Sequence, residues 1–274
     1  MEAMKASNPH EIANILRDEK SGLRENVVRS LGDFTVALLA IYNDSNERLA
    51  LAGTGTLVVI DQAHFILTAR HVWDEVLSEA DQIGLTLKPE INHKYGVARR
   101  EFAVFGLPKP AEWNEWGPDL ILLGIPAESV GIIGVYKSYW NMQRRIDINA
   151  EVVEVTVLMG TPAALGEFTE IHAEMQIIGM FLGPEKAQER DGFDYLDYEM
   201  DLSYPEVPRG FGGVSGGGVW RVFLYCSQDG EIDWKLSFHG TAFYQLRIVD
   251  NHRTIRCHGP KSTTAVLKTI RQLN

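Results

Sequence analysis

From Phe34 onward the chain breaks into short apolar runs, and these leave it few folds to choose from. The runs are "FTVALLAIYN", "LALAGTGTLVVI", "HFILTA", "IGLTLK", "GVARREFAVFG", "DLILLGI", "AEVVEVTVLMG", "EIHAEMQIIGMFL", "DYLDYEMDLS", "GVWRVFLYCS" and "LSFHGTAFYQLRIV". They are rich in Val, Ile, Leu, Phe and Tyr, and most stop at Gly, Pro, Asp or Asn, the pattern of β-strands closed by turns. No internal repeat and no low-complexity linker interrupts them. Many strands at short spacing, with helical patterns mainly at the two ends, predict an all-β sandwich or barrel system.

The ends read differently. "NPHEIANILRDEKSGLRENVVRSLGDF" offers Asn8 as an N-cap, Pro9 in the first turn, and Ile12, Ile15 and Leu16 at helical spacing. Val27, Val28 and Leu31 continue the pattern after Gly22, and Gly32 ends it. The tail "STTAVLKTIRQLN" has Ser262 or Thr263 as a cap and Val266, Leu267, Ile270 and Leu273 on one face, which predicts a terminal amphipathic helix. At 274 residues the chain is long enough to bury a large core, as one sizeable domain or two small ones.

One loop stands out chemically. In "GFGGVSGGGVW", Gly212, Gly213, Gly216, Gly217 and Gly218 surround Ser215. Glycine is costly in ordered chain because it loses the most backbone freedom on folding. Three explanations fit the string: a flexible linker, a backbone nest for an anion, or a turn that presents a nucleophile beside N–H donors. Serine attacks a carbonyl only when a neighbouring base takes its proton and positioned donors receive the oxyanion. "HFILTARHVWDE" supplies such a base in His71, delivered at the end of a strand. "EWGPDLILLGIP" supplies Asp119, which the apolar run Leu120–Leu123 carries inward, where a carboxylate requires a partner.

Taken together, "GTGTLV…ILTARHV", "DLILL" and "GGVSGGGV" resemble the three blocks around His, Asp and Ser in chymotrypsin/trypsin-like serine peptidases, especially the bacterial, disulfide-poor members. The order His–Asp–Ser is that family's order. The intervals are 48 (119 − 71) and 96 (215 − 119) residues, and the blocks run from about Gly53 to Gln245. "VTVLMGTP" is similar to the opening strand and Gly-x-Pro turn of the second barrel. The resemblance implies two antiparallel six-stranded β-barrels, at 33–135 and 136–274, with an N-terminal helical extension over 1–32 and a C-terminal helix. It also implies a serine endopeptidase in which His71 is the base, Asp119 orients it, Ser215 is the nucleophile, and the amides of Gly213 and Ser215 form the oxyanion hole.

The sequence departs from the family at Val214. The digestive members carry an aspartate there, which pairs with an N-terminus freed by cleavage, and valine cannot form that pair. Activation by trimming is therefore not expected, and a catalytically silent or partner-activated binding module of the same fold is the alternative function. Arg209, six residues before Ser215, falls where the family often places the base of its specificity pocket. There it would favour an acidic side chain, and the other reading is that it points to solvent in a loop of changed length. Phe243, Tyr244 and Gln245 are expected to line the substrate cleft; His239 either approaches it or is structural.

Other chemistries fit less well. "GVSGG" also matches the Gly-x-Ser-x-Gly elbow of α/β-hydrolases, but a strand pattern follows it where that fold needs a helix. A phosphate loop would need Gly-Lys-Ser/Thr. His252 and His258 flank Cys257 without a second cluster at metal spacing, so neither a metal nor an organic cofactor is expected. A formal charge of −11 disfavours nucleic acid, and no run reaches the roughly 18 apolar residues a membrane span requires. With only Cys226 and Cys257 and no apolar leader in "MEAMKASNPHEIANILRDEK", a cytoplasmic protein acting on protein or peptide is expected. Oligomeric state is not written in the sequence.

Overall fold

A computed structural model describes residues 4–43, 48–88, 93–107, 115–148, 151–168, 173–204 and 207–271. Two helices open it, α1 (Pro9–Arg17) and α2 (Leu23–Gly32). The side chain of Asn8 accepts the Glu11 N–H at 3.0 Å, while the Glu11 carboxylate accepts the Ser7 N–H at 2.7 Å, so both ends of a reciprocal cap are present.

The first sheet contains β1 (Thr35–Tyr42), β2 (Arg48–Ile60), β3 (Ala63–Thr68), β4 (Gln82–Lys88), β5 (His93–Ala98), β6 (Ala103–Gly106), β7 (Ile121–Gly124) and β8 (Trp140–Asn141). Its order is β5-β4-β1-β2-β3-β7-β6, antiparallel throughout, with β8 added in parallel to β2. Two short helices interrupt it, α3 (Arg70–Glu75) and α4 (Ala127–Gly134).

After a small hairpin of β10 (Glu167–Phe168) and β11 (Ala173–Glu174), which follows β9 (Val153–Gly160), come β12 (Ile178–Leu182), β13 (Glu185–Arg190), β14 (Phe193–Asp201), β15 (Gly218–Cys226), β16 (Ile232–Gln245) and β17 (His252–His258). The second sheet is antiparallel in the order β12-β9-β15-β16-β17-β14-β13. Although far apart in that order, β12 and β14 come into contact, so this sheet curls on itself. The helix α5 (Pro260–Arg271) closes the chain against β14 and β6.

The expected β-rich architecture with helices at both ends is present, but two six-stranded barrels are not what the hydrogen bonds form. One sheet has eight strands, the other has seven, and neither order closes. The first sheet also runs past residue 135, because β8 pairs Trp140 with Val58. Alternation explains the packing. Val36, Leu38 and Ala40 of β1 face an apolar cluster with Leu57, Ile66, Ile83 and Leu85. Leu158, Leu196, Val219 and Ala242 face a separate one in the second sheet. A third cluster joins the sheets and seats the N-terminal helices through Ile12, Leu23, Val27 and Leu31, with Trp140 and Trp220 at its centre. The starts of the expected runs at 150–160 and 170–182, and Leu273 of the last helix, lie outside the described residues.

Candidate active site

His71 does not sit at the end of β3 but in the first turn of α3, two residues beyond Ala69. Asp119 lies two residues before the buried strand β7 and is itself buried. The chain between β6 and β7 therefore delivers a carboxylate to the N-terminus of α3, and its two oxygens divide the work. Oδ1 accepts the backbone N–H of His71 at 2.9 Å, and Oδ2 lies 2.6 Å from Nδ1. With the proton on Nδ1, that contact leaves Nε2 as the basic nitrogen. Burial alone pushes the imidazole pKa down, but the hydrogen bond and charge of Asp119, with Glu75 and Asp74 adding to it, outweigh burial and raise it above the ordinary histidine value.

Asp119 is held from behind by the other sheet. Its N–H donates to Nε2 of His258 at 3.1 Å, and the His258 ring stacks on Phe243 at 4.2 Å and 19°. The Tyr195 hydroxyl donates to the Trp116 carbonyl at 2.6 Å, and Arg256 donates to the Glu115 carbonyl while forming a two-pronged pair with Asp197. No short motif announces these supports, because they become neighbours of Asp119 only when β14 and β17 of the second sheet fold against the 115–119 segment.

Burial pushes the His258 pKa down to about 4. An unfolded histidine titrates near 6.5, so this residue stabilises the fold fully above that value. The stabilisation declines as pH falls and is gone below about 4. The full difference is about 3 kcal/mol. Urea titrations at pH 7 and pH 4.5 are expected to show a smaller acid loss for His258→Gln than for the parent; equal losses would refute the assignment.

Ser215 lies in the loop between β14 and β15, and close approach accounts for Gly213, Gly216, Gly217 and Gly218 but not for Gly212, where a Cβ would meet nothing within 4 Å. Gly213 has φ +87° and Gly216 φ +89°. A Cβ on Gly217 would stand 2.1 Å from the Met159 carbonyl oxygen. Val214 is buried in the second sheet's apolar cluster, against Gly160. The N–H groups of Gly213 and Ser215 meet no acceptor among the described residues, whereas Val214 N–H donates to the Phe211 carbonyl at 3.0 Å. The loop is ordered and keyed into its surroundings, which removes the linker explanation.

His71, Asp119 and Ser215 line one cleft of about 380 Å³. Of the residues expected to meet substrate, Phe243, Tyr244 and Gln245 line it as well. The Gln245 Oε1 is fixed by the Phe211 N–H at 3.1 Å and by Arg253 at 2.6 Å. Arg209 is not brought there: its side chain is exposed and does not line the cleft. The apolar wall consists instead of Phe211, Val214, Ala242 and Ile255, so the cation expected for an acidic substrate side chain is missing from it. His239 also points elsewhere. Its Nε2 lies 2.7 Å from the Glu185 carboxylate, which the Tyr198 hydroxyl also reaches.

No family model matches the chain, and no curated protein does. Among solved structures it is similar to one from work on the coupled folding and binding of the intrinsically disordered Sesbania mosaic virus VPg protein, at 12% identity and a TM-score of 0.38. That match covers 84% of this chain and 93% of the other, and at that score it carries no functional argument. Among the described residues no group of three His, Cys, Asp or Glu side chains stands at metal-binding distance, and no helix is long and apolar enough to cross a membrane.

Proposed function

We propose that the protein is a serine endopeptidase whose triad is His71, Asp119 and Ser215. One observation carries this reading: a His71–Asp119 pair at 2.6 Å opens onto the same cleft as a serine whose own N–H, like that of Gly213, meets no acceptor among the described residues. The two sheets correspond, on this reading, to the two barrels of the trypsin-like fold.

In the reaction, Ser215 Oγ bonds to the peptide carbonyl carbon as its proton passes to Nε2 of His71. The carbonyl oxygen becomes an oxyanion, received by the amides of Gly213 and Ser215. The intermediate collapses by breaking the C–N bond, and the imidazolium gives its proton to the leaving amine. Water, deprotonated by His71, then releases the acyl group from Ser215. Asp119 stays ionised throughout and holds the imidazole in the Nδ1–H tautomer. The apolar wall around Phe211 and Ile255 receives part of the substrate.

A fluorophosphonate probe tests the reading directly. The parent protein is expected to become covalently labelled, and Ser215→Ala to lose the label with its fold intact. Failure of the folded parent to label, with or without added proteins, would instead support a trypsin-like binding module.

A further inference from the structure

We infer that the Thr54 hydroxyl is the positioning group that holds the oxyanion loop in its working shape, the task that Val214 cannot perform by ion pairing. This inference rests on Ser215 being the nucleophile.

The carbonyls of the loop show how it is held. An amide N–H can point into a cleft only if the peptide planes around it are fixed, and a plane is fixed most simply through its carbonyl oxygen. From Gly212 to Ser215 every carbonyl is engaged. Gly212 O accepts Ala163 N–H at 2.7 Å, and Val214 O accepts Gly217 N–H at 2.8 Å. The other two depend on one residue of the opposite sheet: Gly213 O accepts the Thr54 hydroxyl at 2.7 Å, and Ser215 O accepts the Thr54 N–H at 2.8 Å.

Thr54 is itself held on every side. It is fully buried in β2. Its hydroxyl oxygen accepts the Thr161 N–H at 3.0 Å, and its carbonyl accepts the Thr68 hydroxyl at 2.7 Å. A single side-chain oxygen thus links β2 of the first sheet, the turn after β9 of the second, and the loop that carries Ser215. Being fully buried, it touches no substrate. It acts through the Gly213–Val214 peptide plane, which lies between the two peptides that carry the Gly213 and Ser215 N–H groups. Without the hydroxyl, Gly213 O and Thr161 N–H both lose their partner, and turning the Gly213–Val214 peptide becomes the easiest way to satisfy that carbonyl. The turn would release Val214 N–H from the Phe211 carbonyl and change ψ of Gly213 and φ of Val214, which re-aims the flanking peptides that carry the oxyanion donors.

Thr54→Val keeps the shape and removes the hydroxyl; Thr54→Ser keeps the hydroxyl. With p-nitrophenyl acetate as a general acyl donor, Thr54→Val is expected to lower kcat by about 10²-fold, the scale of losing one oxyanion donor, with KM within about threefold. Thr54→Ser is expected to remain within about threefold of the parent in both. A Thr54→Val protein that labels with fluorophosphonate and turns over at the parent rate overturns the clamp while leaving the peptidase reading intact. Crystal structures of the two variants supply a readout independent of activity, informative even if the parent fails to label. The Gly213–Val214 peptide is expected to turn in Thr54→Val and to stay in place in Thr54→Ser, and an unchanged loop in Thr54→Val refutes the proposal. Should Thr54→Val not fold, Thr54→Ala, which relieves the crowding of an extra methyl beside polar groups, is read by the same two criteria.

Discussion

Replacing Asp119 by asparagine is expected to leave the fold standing and to lower kcat by about 10⁴-fold, the scale of that change in a Ser-His-Asp triad. The reason is the direction of one proton. Asp119 Oδ2 receives Nδ1–H, which makes Nε2 the nitrogen that takes the serine proton. An amide NH₂ in that place donates rather than accepts, so the imidazole turns to the other tautomer and presents N–H to a hydroxyl that needs a base. The same substitution removes the charge that raises the His71 pKa. In the parent, His71 must be neutral to act, so the acid limb of the kcat/KM profile is expected above the ordinary histidine range. In Asp119→Asn, burial acts with less opposition and the limb moves to lower pH. A variant with parent kcat and an unmoved limb would remove Asp119 from the mechanism. Thermal unfolding of the two proteins separates this effect from simple loss of structure.

The His71–Asp119 pairing was legible in the sequence because burial is: four consecutive apolar residues after Asp119 leave the carboxylate no solvent, and a buried carboxylate must find a donor. The glycines around Ser215 were legible for a similar local reason. What was illegible depends on contacts between distant strands. His258, Tyr195 and Arg256 support the Asp119 segment from the other sheet, and Thr54 looks in "GTGT" like any strand threonine. Strand β13, "EKAQER", was missed because it is an edge strand with largely exposed side chains; it lacks the alternating apolar face that period-2 reading requires. Arg209 had two readings because a loop, unlike a strand, has no fixed rise or facing by which to count back from Ser215, and its side chain takes the solvent-facing one. Phe243, Tyr244 and Gln245 lie at the end of a strand, whose fixed rise and facing bring them to the cleft that His71 and Ser215 line.

The largest loss of stability is expected from adding one methyl group at Gly216. Its φ of +89° is a conformation an alanine enters only with strain, and a Cβ there would stand 2.0 Å from the Thr54 carbonyl oxygen and 2.1 Å from the Thr68 hydroxyl. Neither neighbour is the free end of a flexible side chain. The Thr54 carbonyl belongs to the strand that fastens Ser215, and the Thr68 hydroxyl donates to that carbonyl. Backbone strain of about 1–3 kcal/mol and overpacking of about 1–3 kcal/mol together give roughly 2–6 kcal/mol, against a typical total stability of about 5–15 kcal/mol. Gly212→Ala is the control in the same loop, since nothing stands within 4 Å of a Cβ there and its φ is not positive. Denaturant titration is expected to show Gly216→Ala strongly destabilised and Gly212→Ala within about 1 kcal/mol of the parent. Equal stabilities would mean that the loop around Ser215 can yield by about an ångström. A loop that yields so far cannot be the rigid anion nest that peptide hydrolysis requires, so this measurement of folding also bears on the chemistry.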